Sequence, residues 1–112
     1  MDNQKTFDMV VAHLRKQGEK CGEDNDGNYA CYYRHEGMSC AAGCLIPDED
    51  YSPDMENLEC NDFRIAPVLV KAGHEPRFVR EMQVIHDTNS VEDWEIAFEE
   101  LAKRFNLEYT PA

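Results

Sequence analysis

Apolar residues recur at helical spacing in three stretches of the chain, and this periodicity constrains the fold more than any other feature. The clearest stretch is the last, in which four large apolar residues stand three or four positions apart: Trp94, Phe98, Leu101 and Phe105. Ser90 and Asp93 stand in the order of a capping box, so a helix is predicted over 91–105. The same apolar spacing predicts two further helices, over 5–17 and 76–88.

Between the first two of these helices the sequence carries short β-strand and turn signals. Aromatic residues after a run of turn formers predict a strand near 28–34, and the turn at 35–37 would close a hairpin. The small and apolar run at 39–46 predicts a tightly packed short helix. A further short helix is predicted over 53–59, where Ser, Pro and Asp stand in the order of a helix start.

The rest of the chain completes an α+β prediction. Pro67 lies inside an apolar stretch and requires a kink, a late helix start or two short pieces. Residues 107–110 are predicted to form a short terminal strand. With 112 residues, the chain is long enough to bury about two-thirds of its unfolded surface in one core. We therefore expect a single compact domain over 1–112, with three to four helices packed around a short β-hairpin or sheet.

Acidic residues dominate the charge of the chain. It has 23 Asp and Glu residues against 11 Lys and Arg residues, a formal net charge of −12. Residues 23–62 carry a net −10 of this, whereas 63–86 carry a net +2. Binding to the phosphates of nucleic acids, or to anionic membranes, requires clustered basic residues. The composition thus argues against direct nucleic-acid or membrane binding, but it permits a small anionic ligand beside 63–86.

The sequence also bears on the cellular compartment. No cationic segment followed by an uninterrupted apolar run opens the chain, and no later stretch approaches the roughly 18 apolar residues of a membrane span. We therefore expect a cytoplasmic protein. Its five cysteines are an odd number, which in a reducing compartment favours thiols or metal ligands over disulfides.

Two metal sites can be considered from residue spacing. Four side chains have zinc-binding chemistry but lack paired Cys-x-x-Cys spacing, so core thiols are favoured: Cys31, His35, Cys40 and Cys44. Oxygen-bearing residues from Asp48 to Glu59 follow the spacing of a calcium-binding EF-hand loop. Pro53 occupies the loop position that needs a glycine with positive φ, which blocks that geometry. No cofactor is predicted.

The sequence contains no signature of catalysis. A nucleophile elbow, a phosphate-binding glycine loop, a dinucleotide fingerprint and a zinc-protease helix are all absent from the printed sequence. The prediction therefore leans away from an enzyme, and no catalytic residue is named.

Two kinds of binding surface are predicted instead. Tyr and Arg together suit aromatic bases and phosphates, and further cations follow in the basic region. The predicted ligand-binding residues are Tyr33, Arg34, Arg64, Lys71, Arg77 and Arg80. The alternative is an acidic surface that inhibits a basic protein or mimics nucleic acid. It would consist of Asp48, Glu49, Asp50, Asp54 and Glu56.

A motif in the middle of the chain resembles a family of small proteins carried by tailed bacteriophages and prophages. The matching residues are Tyr33, Arg34, Gly37, Cys40, Ala41, Gly43, Leu45, Ile46, Pro47, Asp48, Glu49 and Tyr51. The resemblance implies a small phage accessory protein in the bacterial cytoplasm, where such proteins often serve host takeover or counter-defence, and it implies no catalytic residues.

The expected function in that setting is to bind and sequester a nucleotide-derived signal of host immunity. The alternatives are the acidic inhibitor of a basic host protein and a metal-stabilised module. Self-association of the chain is left open.

Overall fold

A computed structural model describes residues 2–25 and 28–112, and the side chains of these residues except 23–25 and 28–30. The described residues form four α-helices: α1 (Asn3–Gln17), α2 (Ala66–Lys71), α3 (Pro76–Thr88) and α4 (Trp94–Arg104). They also form four short strands: β1 (Gly22–Asn25), β2 (Asn28–Cys31), β3 (Arg34–His35) and β4 (Met38–Ser39). The predicted small α+β fold is confirmed.

The strands form two antiparallel pairs. Strands β1 and β2 pair with Gly22 opposite Cys31, and β3 and β4 pair with Arg34 opposite Ser39. Glu36 and Gly37 join the second pair, both with positive φ, as a two-residue hairpin turn requires. The predicted turn at 35–37 is thus confirmed. The predicted strand over 28–34 is instead two strands, interrupted at residues 32 and 33.

The core lies between α1, α3 and α4. Aromatic rings meet edge to face at two points, with centroids 6.4 Å apart for Phe7 and Phe98 and 5.1 Å apart for Phe78 and Phe105. The short helix α2 contributes Leu69, which is fully buried. The apolar spacing read from the sequence therefore marks the faces that these helices bury.

Side-chain hydrogen bonds are found at the beginnings of α1 and α4. The carboxylate of Asp2 accepts a hydrogen bond from the Lys5 backbone N–H (2.9 Å), and α1 begins two residues earlier than predicted. The predicted capping box does not form. The Ser90 hydroxyl donates to the Asp93 carboxylate (3.0 Å), residues 91–93 make a 3-10 turn, and α4 begins at Trp94.

The predicted terminal strand over 107–110 is absent. This segment lies along α1, where the side-chain amide of Gln4 pairs with both the N–H and the carbonyl of Glu108 (2.8 and 3.0 Å). The Arg15 guanidinium also donates to the Thr110 carbonyl (2.8 Å). Side chains of α1 thus take the place of a neighbouring strand.

Residues 40–62, here called the acidic loop, carry seven carboxylates and no basic residue. Their local structure is three 3-10 turns: Gly43–Leu45, Asp48–Asp50 and Pro53–Met55. The short helices predicted over 39–46 and 53–59 are thus single turns. Pro67 is the second residue of α2, so a late helix start is correct. None of the described helices combines the length and apolar character needed to cross a membrane.

Candidate functional site

Glu56 joins three separate parts of the chain. Its carboxylate accepts hydrogen bonds from the backbone N–H groups of Tyr33 (2.8 Å) and Arg34 (3.2 Å) and from the Tyr51 hydroxyl (2.6 Å). Burial, followed by the bond to Glu56, raises the pKa of Tyr51 to about 12, so this hydroxyl keeps its proton at neutral pH. Hydrogen bonds to a charged acceptor are stronger than neutral ones, so Glu56 holds the acidic loop against the β2–β3 connection.

Arg34 supports the same junction from its side chain. The guanidinium donates to the Ile46 carbonyl (2.6 Å), forms an ion pair with Asp48 (2.7 Å) and lies 4.7 Å from the ring centroid of Tyr51. It borders an open groove of about 790 Å³ that also includes His13, His35 and Cys44. The predicted ligand-binding arginine is therefore already engaged with a carbonyl, a carboxylate and an aromatic ring.

Tyr33 is buried at this junction. Its hydroxyl donates a hydrogen bond to the Leu58 carbonyl, and burial raises its pKa. Its backbone carbonyl accepts from the Cys40 N–H (3.1 Å) and lies against Gly43. A Cβ on Gly43 would stand 2.8 Å from the Tyr33 carbonyl carbon and closer still to the oxygen. Tyr33 therefore anchors the acidic loop through its backbone and its hydroxyl.

A pocket of about 250 Å³ lies next to this junction, between the end of β2, residues 56–60 and α3. Its lining includes three carboxylates, one guanidinium and two thiols: Glu56, Glu59, Asp87, Arg80, Cys31 and Cys60. Arg80 is paired with Glu59 at 3.2 Å. The excess of carboxylates opposes the entry of a phosphate-bearing ligand.

A hydrogen-bond network around Asp87 forms one wall of the pocket. The carboxylate accepts from the Gln83 side-chain amide and from His86 Nδ1, both at 2.7 Å, and it also interacts with the Cys31 thiol. His86 Nε2 accepts from the Cys21 backbone N–H (3.0 Å), while its ring stacks on Trp94. The network connects α3 to β1 and β2.

Three side chains of this network, those of Cys31, His86 and Asp87, form the one group of potential metal ligands found among the described residues. Ligand atoms of Cys31, His86 and Asp87 all lie within 4.8 Å of one another. However, His86 Nε2 accepts a hydrogen bond, so the ring proton sits on Nδ1, the nitrogen that faces Asp87. A metal bound at Nδ1 would move that proton to Nε2, against the N–H of Cys21. This arrangement fits a structural network better than a metal site.

The zinc ligands considered from the sequence do not come together. Cys31 lies at the pocket, whereas His35 and Cys44 border the groove beside Arg34. Cys40 is fully buried, and its sulfur accepts from the Gly43 N–H (3.2 Å). The Cys44 thiol donates to the Ala41 carbonyl (3.1 Å). Local backbone groups satisfy the Cys40 and Cys44 thiols.

Burial raises the pKa of all five cysteines above the ordinary value of a thiol. Burial raises the pKa of Cys31 and Cys44 to about 12 and of Cys21 and Cys60 to about 11, and it raises the pKa of Cys40 as well. A nucleophilic cysteine needs a lowered pKa, since the thiolate is the reactive form. The imidazole of His86, which lies beside Cys31, is held by the Cys21 backbone N–H and the Asp87 carboxylate.

The six predicted ligand-binding residues are distributed over different places. Tyr33 and Arg80 line the pocket, Arg34 lines the groove, and Arg77 shares a shallow surface depression with Arg80. Arg64 is paired with Asp62 at 3.1 Å. Lys71 Nζ lies 3.9 Å from Asp50. The structure does not gather the six into one site.

The five predicted acidic-surface residues divide into engaged and free carboxylates. Glu56 is used internally, Asp48 pairs with Arg34, and Asp50 lies near Lys71. Glu49 and Asp54 are exposed and make no ion pair with a described residue. They occupy two successive 3-10 turns of the acidic loop.

Sequence reasoning did not predict that Gln83, Asp87 and Glu56 connect separate parts of the fold. Gln83 and Asp87 stand four positions apart, which places them on one face of α3, and this spacing was the available signal. Nothing near Glu56 in the sequence indicates that its partners lie 22 and 23 residues earlier.

Comparison of the chain with protein-family models, with curated proteins and with solved structures gives no match.

Proposed function

We propose that the protein acts by binding a basic partner protein through the acidic loop. The observation that carries this proposal is the pair of exposed carboxylates, Glu49 and Asp54, that make no ion pair with a described residue. They belong to a 23-residue segment with seven acidic and no basic residues. A surface of this kind attracts cationic partners and accelerates their association.

The support of the acidic loop favours binding over a merely solubilising charge. Glu56, Arg34 and Tyr33 fix the loop from within, through hydrogen bonds of 2.6 to 3.2 Å. The free carboxylates therefore stand on an ordered backbone. A surface that is fixed before binding loses less conformational entropy when a partner docks.

The resemblance to small phage proteins suggests the biological setting. In the bacterial cytoplasm, an acidic accessory protein would inhibit a basic host protein, for example one that binds nucleic acid, during host takeover or counter-defence. This setting is part of the proposal and rests on the motif around Tyr33 to Tyr51.

Affinity capture from bacterial lysate tests the proposal. The bait is the wild-type chain, a Glu49→Lys/Asp54→Lys variant, or a control Glu92→Lys/Glu100→Lys variant. The control makes the same charge change at exposed residues of the 91–93 turn and α4. We expect wild type and control to retain the same basic proteins at about 50 mM salt, and the loop variant to lose them.

Raising the salt to about 300 mM should also release these proteins, because screening weakens interactions between exposed charges. Capture that survives both the loop substitutions and the added salt would contradict the proposal.

Sequestration of a nucleotide-derived signal stays a prediction. The negative pocket and the dispersed cations give it less support than the acidic surface has. Differential scanning fluorimetry against cyclic dinucleotides and ADP-ribose derivatives tests it directly. A stabilisation that is lost in Arg80→Gln would favour the nucleotide ligand over the basic partner.

A further inference from the structure

A strip of exposed apolar side chains lies along α2 and the turn before it. Phe63 is 79% exposed and Val70 is 60% exposed, and Pro67 between them is exposed as well. Burying large apolar groups is the dominant favourable term in protein association. Exposed residues of this size on adjacent turns therefore mark a surface for docking.

The three side chains share one face because the helical path begins before α2. The Ala66 N–H donates to the Asp62 carbonyl (2.8 Å), an i to i+4 bond that extends the helical turn back to residue 62. Phe63, Pro67 and Val70 then stand at i, i+4 and i+7, which is one side of a helix. Ile65 and Leu69, both fully buried, hold the opposite side against the core.

The strip is continuous with the acidic loop. At one end Lys71 Nζ lies 3.9 Å from Asp50, in the same turn as Glu49. At the other end Arg64 pairs with Asp62 and stacks over Phe63, 5.0 Å from the ring centroid. The pKa of Arg64 is raised by this bond to Asp62 and, further, by the charge of Asp54. Asp50 and Asp62 thus connect the two ends of the strip to the acidic loop, whose turns carry Glu49 and Asp54.

We infer that the strip and the acidic loop together form the docking site for an amphipathic helix of the partner, with an apolar stripe flanked by Lys or Arg. This inference rests on the proposed function and names the segment that the acidic loop recognises. Charge complementarity selects the basic flanks, since the exposed carboxylates Glu49 and Asp54 make no ion pair with a described residue. The two cations beside the strip, Arg64 and Lys71, already face Asp62 and Asp50. A ridge with i, i+4 and i+7 spacing fits the groove of a second helix.

The size of the strip defines the length of the partner segment. Seven residues of helix span about 10 Å, which corresponds to roughly two turns of the docked helix. An apolar centre with a charged rim is the usual composition of protein interfaces. The partner helix therefore places two or three apolar side chains between Phe63 and Val70 and its cations toward Glu49 and Asp54.

Fluorescence anisotropy with a labelled 18-residue peptide tests the inference. The peptide has leucine on one helical face and lysine on the other. Two control peptides have the same composition in scrambled order, or glutamate in place of lysine. We expect the wild-type chain to bind the first peptide at least ten-fold more tightly than either control.

Two matched variants locate the site. Phe63→Ser/Val70→Ser changes only exposed side chains, so the fold is retained, and we expect at least a ten-fold weaker Kd. Ile96→Ser removes an apolar side chain on α4 that is as exposed as Val70 (61% against 60%), and it should leave the Kd unchanged. Far-ultraviolet circular dichroism checks that all variants keep the wild-type helix content.

The possible results separate the inference from the proposed function. If Glu49→Lys/Asp54→Lys weakens binding and Phe63→Ser/Val70→Ser does not, the helix site is overturned while the acidic surface stands. If Glu49→Lys/Asp54→Lys binds the peptide as tightly as wild type, both the helix site and the proposed function are overturned. If wild type forms a dimer in sedimentation velocity that Phe63→Ser/Val70→Ser abolishes, a second copy covers the strip and the inference is overturned.

Discussion

The helical core and the acidic loop are stabilised in different ways. In the core, α1, α3 and α4 bury apolar faces against one another. Many side chains contribute to this packing, so no single contact dominates the stability. In the acidic loop, buried side chains such as Leu45 and Ile46 also join the core. What sets the loop apart is a few polar contacts to one backbone stretch, at Tyr33 and Arg34. The loop is therefore ordered without a regular element longer than a single turn, and single substitutions in it should have large effects.

The largest effect is expected at the closest backbone approach. Gly43→Ala would force a Cβ into the carbonyl group of Tyr33, so either the loop or the β2–β3 connection must move. We expect a loss of about 3 kcal/mol in the free energy of unfolding. Urea unfolding followed by Trp94 fluorescence measures it.

Gly37→Ala is the matched control for this substitution. No atom lies within 4 Å of a Cβ at Gly37, and the cost there comes only from the positive φ of 81°. About 1 kcal/mol is expected. If both variants lose the same free energy of unfolding, the close contact between Gly43 and the Tyr33 carbonyl does not contribute to stability.

A smaller loss is expected from Glu56→Gln. The amide replaces one acceptor oxygen with an N–H₂ group, which then faces a backbone N–H or the Tyr51 hydroxyl. Loss of a charged acceptor and an unsatisfied donor should cost about 2 kcal/mol. Glu49→Gln in the same loop should stay within about 0.5 kcal/mol of wild type. Similar urea midpoints for the two variants would refute the division between internal and free carboxylates.

The helical part contains a buried titratable group whose effect should be the smallest of the three. His74 Nδ1 lies 2.7 Å from the Thr6 hydroxyl, and burial lowers the pKa of this histidine. The unfolded chain, in which the pKa is about 6.5, then binds more protons than the folded chain. The contribution of His74 to stability is therefore lost as pH falls below about 6.5.

The matching variant is His74→Gln, which removes the ionisable group. We expect its unfolding free energy to fall less than that of wild type between pH 7.5 and pH 5.5. Parallel pH profiles for the two proteins would mean that His74 titrates alike in the folded and unfolded chains.

The same contrast explains what could be predicted from the sequence. Helical spacing located α1, α3 and α4 to within a few residues, because the residues on a buried helical face are apolar at every third or fourth position. The acidic loop has no period to detect, since Glu56 acts on a backbone more than twenty positions away. The strand prediction for 107–110 failed for a similar reason. The backbone of Glu108 is paired with the side chain of Gln4, which lies far away in the sequence, and not with a neighbouring strand.

The site was predictable only in part. The concentration of acidic residues was visible, but the sequence does not distinguish Glu56, which serves the fold, from Glu49 and Asp54, which are free. Exposure of Phe63 and Val70 was equally hidden, because both residues lie in an apolar stretch that reads as core. Only the structure, in which Ile65 and Leu69 pack into the core, distinguishes the buried side of this segment from the exposed one.

Isothermal titration with the basic amphipathic peptide at about 50 and 300 mM salt tests the central claim most directly. Glu49→Gln/Asp54→Asn is compared with wild type, with the unfolding free energy of each measured in parallel. We predict unchanged stability, a Kd at least ten-fold weaker at low salt and a reduced dependence on salt. Equal affinity and equal salt dependence in a stably folded variant would contradict the claim that the free carboxylates of the acidic loop bind a basic partner.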